Sequence, residues 1–184
     1  WTGFVGATVP ARHQDIFQIV RRARDAAVTF VQGRVRVGEC PYGWEVDDVC
    51  RRVIQDAGYG QYFVHRTGHS VGEEVHGNGA NIDNLETQDA RRLLPGTCFS
   101  IEPGIYLPDE FGIRSELDVY LSARDAVVYG QPVQADLLPI PIPASEVLRC
   151  YSWAGCGRPP FLTPFASGSY RGSSEGRRGP LTLD

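Results

Sequence analysis

Three of the four histidines lie within one polar segment, residues 65–76, with the sequence HRTGHSVGEEVH. Two glycines inside this segment argue against a helix. In an extended chain, the side-chain period of two places His65, Thr67 and His69 on one face, so that two imidazoles line the same surface. Imidazole is a common metal ligand, but a pair of histidines is more often a hydrogen-bonded structural feature. From this segment alone, both interpretations stay open.

Two acidic motifs follow further along the chain. Glu102 comes directly after an apolar segment and is followed at once by Pro-Gly, which fixes it at the end of a predicted strand. Alternation then places Arg114, Glu116 and Asp118 on one face of a second predicted strand. Taken singly, Glu102 is equally well explained as an exposed turn residue. The second motif is equally well explained as a solvated strand face with an Arg–Glu pair.

The three motifs together are far more specific than any one of them. HRTGH at 65–69, EPGIY at 102–106 and GIRSE at 112–116, in this order, resemble the signature of the pita-bread metallopeptidases. The residues of these motifs resemble those of the Xaa-Pro aminopeptidase and prolidase branch rather than those of the methionine aminopeptidase or creatinase branches. The resemblance implies an α+β fold, half to most of a pita-bread domain, with a curved, mainly antiparallel sheet and covering helices. Residues 1–142 would form the C-terminal part of the catalytic domain.

The resemblance also implies a metal-ligand set. At the matching positions, His69 would be the histidine ligand, Glu102 a ligand that also serves in proton transfer, and Glu116 the bridging carboxylate. Oxygen ligands with one imidazole suit two divalent ions, with Mn²⁺ expected first and Co²⁺ or Zn²⁺ as alternatives. Such ions activate a water for hydrolysis. The family supplies two further aspartate ligands from a hairpin that would fall immediately upstream of Trp1.

The same comparison assigns roles to the residues around these ligands. His65 and His76 would contact the substrate or stabilise the tetrahedral intermediate, and Arg114 and Tyr106 would support the carboxylates at the metals. The implied substrate is a peptide with proline at its second position. An aminopeptidase and a dipeptidase both fit this description. The resemblance is also compatible with a homodimer of the intact protein.

Three functional hypotheses follow from the motifs. The first is a proline-specific metallopeptidase, of which the present chain, without the upstream aspartates, is an inactive fragment. The second is a non-catalytic peptide- or protein-binding pita-bread module. The third is metal-free amidino hydrolysis like that of creatinase, against which the retained ligand types weigh. Because relatives that bind without catalysis usually lose the histidine or a glutamate, the three retained ligand positions favour the enzyme.

Periodicity predicts the elements that must position these residues. Apolar residues recur at helical spacing from Pro10 to Gly33, where glycine is predicted to end the helix, and again over residues 46–57, with Gly58 as the C-terminal cap. Asp47 and Asp48 favour the N-terminus of the second helix. Four segments rich in β-branched and aromatic residues predict strands at 61–64, 97–101, 112–121 and 126–129.

Composition narrows the classes of partner. The chain has 184 residues and a net charge of −4 from 18 basic and 22 acidic residues that are well mixed, so neither nucleic acid nor an anionic membrane is an expected partner. No apolar run approaches the roughly 20 residues that span a bilayer. The cysteines, odd in number and scattered, predict reduced thiols in a cytoplasmic protein, with Cys50 and Cys98 in the core. Residues 143–184, rich in Gly, Pro, Ser and Arg, predict a low-complexity, disordered tail.

Overall fold

A computed structural model describes residues 1–142 of the chain. The tail predicted at residues 143–184 lies outside the described residues. Two helices dominate the first part of the fold, α1 over Ala11–Arg36 and α2 over Gly43–Asp56, and they pack against each other. None of the helices in this described part is both long enough and apolar enough to cross a membrane.

The first helix is longer than its sequence predicts. Gly33 lies inside α1, which continues to Arg36 and ends before Gly38, whose φ of 80° suits glycine. Val31 and Val35 on either side of Gly33 are buried in the core. Their burial outweighs the cost of about 1 kcal/mol that glycine imposes on a helix interior, so the prediction that Gly33 ends the helix is wrong.

The second helix ends as predicted but begins earlier. It starts at Gly43, where the carboxylate of Glu45 accepts a hydrogen bond from the backbone N–H of Tyr42. Gly58 follows the helix with a φ of 85°. Asp47 is therefore not an N-terminal charge, as its position in the sequence suggested, but a fully buried side chain in the second turn.

The strands within residues 1–142 form three small sheets. A four-stranded antiparallel sheet has the order β2-β3-β6-β7, β4 and β5 form a hairpin, and β1 pairs in parallel with β8. The strands are β1 Gly3–Val5, β2 Ser70–Val71, β3 Cys98–Ile101, β4 Gly104–Leu107, β5 Phe111–Arg114, β6 Leu117–Leu121, β7 Ala126–Val128 and β8 Leu138–Ile140. The architecture is thus α+β and mainly antiparallel, as predicted.

Two strand predictions fail. Residues 61–64 do not form a strand, because a short 3₁₀ turn over Gly60–Tyr62 replaces its first half. The segment 112–121 is not one strand but two, since β5 ends at Arg114 and β6 begins at Leu117 in a different sheet. The predicted alternation of buried and exposed side chains nevertheless continues across the break between them.

In the described part of the chain, one apolar core lies between the helices and the sheets. It brings Phe17 and Val20 of α1 and Ile54 of α2 together with Phe99 and Val119 of the four-stranded sheet. Burying side chains of this size stabilises the fold by roughly 1.5–3 kcal/mol each. Cys50 is fully buried, as predicted, whereas Cys98 is only partly so. This core holds β3 in place, and the candidate site residue Glu102 directly follows the last residue of β3.

Candidate active site

The centre of the site is a contact between His69 and Glu102. The backbone N–H of Glu102 donates to the carbonyl of Thr67 at 2.7 Å, and that of Ser100 donates to the carbonyl of His69 at 2.9 Å. These bonds align the end of β3 with the segment before β2. They bring His69 Nε2 to 3.3 Å from Glu102 Oε1, and both residues are about nine-tenths buried.

The hydrogen bonds of His69 determine which of its nitrogens is free. Its Nδ1 lies 3.0 Å from the carbonyl oxygen of Ser70, which only accepts, so Nδ1 carries the proton. In a neutral imidazole, Nε2 is then an acceptor, and it faces Glu102 Oε1, which is also an acceptor. Two acceptors in this buried position need a proton or a cation between them. A divalent metal fits this pair of ligands, because the neutral imidazole and the carboxylate both offer lone pairs to it.

A glycine makes this close approach of two backbone segments feasible. A Cβ atom at Gly68 would lie 1.9 Å from the carbonyl oxygen of Ser100, which is far inside van der Waals contact. Ser100 also contributes its side chain, since its hydroxyl accepts from the N–H of His69 at 3.0 Å and lies 3.2 Å from Glu102 Oε1. The sequence analysis missed Ser100. Its spacing of two residues from Glu102 on one strand was the available signal.

Arg114 connects the two candidate glutamates. Its guanidinium lies 3.1 Å from Glu102 Oε2 through Nη1 and 3.3 Å from Glu116 Oε2 through Nη2. Glu116 is exposed at 42% of its side chain and does not join the His69–Glu102 pair. In the part of the chain that the structure describes, no three His, Cys, Asp or Glu side chains form a group that could hold a metal ion. The predicted ligand set is therefore assembled only in part.

The remaining predicted site residues surround this centre. His65 Nδ1 donates to the carbonyl of Arg66 at 2.7 Å, and the hydroxyl of Tyr106 donates to His65 Nε2 at 2.9 Å. Burial raises the pKa of the Tyr106 phenol, and the positive charge of Arg114 opposes that shift. The phenol is therefore a proton donor at neutral pH, directed at an imidazole.

His76 and an open cleft complete the site. The ring of His76 is exposed and packs edge to face on that of His69, with the ring centres 4.3 Å apart. Beside the centre, a cleft of about 420 Å³ is lined by Trp1, Thr2, Tyr106, Gly112, Arg114 and Glu116. All seven predicted site residues thus lie near one another. They divide into the His69–Glu102–Arg114–Glu116 row, the His65–Tyr106 pair and the exposed His76.

Comparison with known proteins shows the family of the chain. The profile of metallopeptidase family M24 matches residues 1–123. The chain belongs to this family. Over 131 residues, this M24 chain is 34% identical to an Xaa-Pro dipeptidase of Lactobacillus helveticus, a match that covers 71% of the chain and 33% of that protein.

Solved structures agree with the sequence match. The M24 chain is similar to a prolidase from Thermococcus sibiricus, with 33% identity and a TM-score of 0.62 over 75% of this chain and 34% of that one. It is also similar to an X-Pro aminopeptidase from Thermotoga maritima MSB8, with 28% identity and a TM-score of 0.63 over 75% of this chain and 36% of that one. The predicted family and its α+β pita-bread fold are confirmed. The chain spans 25% to 33% of the length of the first curated relatives.

Proposed function

We propose that the protein to which this M24 chain belongs hydrolyses peptide bonds before proline by means of a metal-activated water. The observation that carries the proposal is the pair of acceptors, His69 Nε2 and Glu102 Oε1, that face each other at 3.3 Å in a buried position. A divalent cation between them satisfies both. Relatives described as Xaa-Pro dipeptidase and prolidase support proline as the specificity.

The chain's own residues would hold the metal through His69, Glu102 and Glu116. Two divalent ions are proposed, Mn²⁺ first and Co²⁺ or Zn²⁺ as alternatives, because one imidazole among carboxylates suits these metals. When bound, such ions lower the pKa of a water and supply hydroxide near neutral pH. Arg114, between Glu102 and Glu116, would orient both carboxylates through its ion pairs with them.

The protein groups around the metal ligands would handle the substrate. Glu102 would take the proton of the attacking water, and the hydroxyl of Ser100, which donates to Glu102 Oε1, supports this role by orienting the carboxylate. The Tyr106 hydroxyl, whose one proton is donated to His65 Nε2, would hold that imidazole in place beside the substrate. The exposed imidazole of His76, next to His69, would contact the peptide that enters from the cleft.

The partners and location belong to the same proposal. The substrate is a peptide with proline at position two, and the intact protein is a homodimer. Mixed surface charge supports neither nucleic acid nor a membrane as a partner. Three cysteines in the described part, Cys40, Cys50 and Cys98, are free thiols, which supports a cytoplasmic protein. A folded but inactive 184-residue chain is expected, because its described residues bring too few ligands together for two ions.

A second candidate is peptide binding without hydrolysis. The observation that favours it is Arg114, whose guanidinium forms ion pairs with both Glu102 and Glu116. If that arrangement persists in the intact protein, the second carboxylate stays out of reach of the first. Binding of a peptide in the 420 Å³ cleft would then be the remaining function.

The deciding experiment uses the protein expressed from its whole reading frame. Hydrolysis of Gly-Pro-Ala and of Gly-Ala-Ala is measured with Mn²⁺, Co²⁺ or Zn²⁺. The proteins compared are the wild type, Glu102→Gln and the matched control Glu39→Gln, whose half-exposed carboxylate pairs with Arg34. We expect cleavage of the proline peptide alone, lost in Glu102→Gln by at least about 100-fold and unchanged in the control. If the protein binds the proline peptide but does not cleave it with any of the three metals, peptide binding becomes the better account of its function.

A further inference from the structure

A buried ion pair on α2 has no place in the site described so far. The Asp47 side chain is fully buried and accepts from Arg51 Nε at 2.8 Å and from Arg51 Nη2 at 3.0 Å, one helical turn further along. The guanidinium also lies over the ring of Phe63, 4.2 Å from its centre. This forked geometry fixes the guanidinium against the carboxylate.

The pair binds three backbone groups of that segment. Arg51 Nη1 donates to the carbonyl of Phe63 at 3.0 Å, and Nη2 donates to the carbonyl of His65 at 2.9 Å. Asp47 Oδ1 accepts from the N–H of Thr67 at 2.9 Å. These groups belong to residues 63, 65 and 67, every second residue before His69. A single pair of side chains therefore fixes the path by which the chain reaches the site.

Thr67 passes this constraint on to the metal-binding centre. Its N–H is held by Asp47, and its carbonyl accepts from the N–H of Glu102 at 2.7 Å. Thr67 thus links the Asp47 carboxylate to the backbone of Glu102, and Thr67 itself stands two residues before His69. A displacement of the segment changes the His69–Glu102 distance directly.

We propose that Asp47 and Arg51 are positioning residues that hold His65 and His69 in register with Glu102. The proposal rests on the proposed function of that site. A buried ion pair adds little net stability compared with apolar side chains of the same size, because desolvation offsets the attraction. Its specific effect here lies in the three backbone bonds, which orient the segment that leads into the short strand β2.

The test separates positioning from mere stability. Arg51→Lys keeps the charge but cannot donate to Asp47, Phe63 and His65 with a planar fork. The control, Arg34→Lys, makes the same chemical change in the surface pair with Glu39 on α1. For each 184-residue chain, Co²⁺ affinity is measured by calorimetry, ring tautomers by long-range ¹H–¹⁵N NMR and the Tm by circular dichroism.

We expect Arg51→Lys to weaken Co²⁺ binding by about 10- to 100-fold, as outer-sphere changes do at metal sites. The Nδ1–H form of His65 and His69 should become a mixture of tautomers, while Arg34→Lys changes neither readout. Asp47→Asn keeps an oxygen for Thr67 but loses the charge, and should give a smaller change in the same direction. It serves as the second variant if Arg51→Lys does not fold.

The outcomes distinguish this proposal from the function on which it rests. Unchanged Co²⁺ affinity and unchanged tautomers in Arg51→Lys and Asp47→Asn would overturn the positioning role and leave the proposed function standing. A wild-type chain that binds no Co²⁺ would count against the metal site. In that case the tautomer comparison still decides the positioning role, because it needs no metal.

Discussion

The buried side chain of Arg24 offers the sharpest test of the packing behind the site. It is 2% exposed, on α1, and its Nη1 donates to the hydroxyl of Ser115 at 2.7 Å while Nη2 donates to the carbonyl of Gln134 at 3.1 Å. Ser115 lies between Arg114 and Glu116, so this contact anchors the break between β5 and β6. The remaining partner, Asp25, is half exposed.

Replacement of Arg24 by Met keeps the apolar stem and removes every donor. The hydroxyl of Ser115 and the carbonyl of Gln134 are then buried without a partner, at a cost of about 1–3 kcal/mol each, so the free energy of unfolding should fall by about 2–6 kcal/mol. The exposed carboxylate of Asp25 is rehydrated at little cost. Removing that partner alone, in Asp25→Asn, should therefore cost less than about 1 kcal/mol.

Urea denaturation followed by circular dichroism measures both variants against the wild type. The two outcomes differ by more than the uncertainty of the extrapolation to zero urea. A loss below about 1 kcal/mol in Arg24→Met would refute the reasoning, since two buried groups without partners cannot cost so little. An Asp25→Asn variant as unstable as Arg24→Met would show that the ion pair, and not the buried acceptors, stabilises the fold.

Three further results are expected. Burial raises the pKa of the Cys50 thiol to about 12, so Cys50 should react with a thiol reagent at pH 8 only after the protein unfolds. Labelling of Cys50 in the folded protein as fast as that of an exposed cysteine would contradict this prediction. The hydrogen bond from Arg91 lowers the pKa of Asp89 from 3.8 to about 2, so the stability that the Asp89 carboxylate adds is complete above pH 3.8 and is lost as the pH falls towards 2. The urea midpoint should therefore depend less on pH in this acid range in Arg91→Gln than in the wild type. An equal pH dependence of the two proteins would exclude this explanation. Gly68→Ala should lower stability by about 1–3 kcal/mol, because its Cβ meets a β3 carbonyl, whereas Gly33→Ala, with open space around it, should raise stability by about 0.5–1 kcal/mol; thermal unfolding of both checks the signs.

Local periodicity predicted the helices because each carries one apolar stripe that the core buries. It failed at Gly33, where the packing of Val31 and Val35 outweighs a local propensity. It failed again at residues 61–64, whose aromatic content is typical of a strand. There, Arg51 donates a hydrogen bond to the carbonyl of Phe63, so this carbonyl does not accept a hydrogen bond from a neighbouring strand. The contact crosses from α2 to the segment, and no local pattern contains it.

The break within residues 112–121 escaped prediction for a different reason. Ile113, Leu117 and Val119 are buried, and the residues between Arg114 and Asp118 alternate without a change of phase. Side-chain period therefore gave no sign that β5 and β6 belong to different sheets. The hydroxyl of Ser115, bound to Arg24 across 91 residues of sequence, marks the break only in three dimensions.

The motifs predicted more of the site than of the strands. His69, Glu102 and Arg114 are in contact, and His65 meets Tyr106, because each motif follows or precedes a short strand whose register is fixed by the core. What the motifs did not predict is how these contacts are held. Asp47 and Arg51 act on residues 63–67 through hydrogen bonds from α2, and their spacing of four within the helix does not show which distant backbone groups they bind.

The central claim is that His69 and Glu102 face each other because a divalent cation belongs between them. The most direct test is Mn²⁺ binding by the 184-residue chain at pH 7.5, followed by the loss of the free Mn²⁺ signal in electron paramagnetic resonance. We predict one ion bound per wild-type and Glu39→Gln chain, with binding at least about 10-fold weaker in Glu102→Gln. Absence of binding in the wild type, or equal affinity in Glu102→Gln, would contradict the claim.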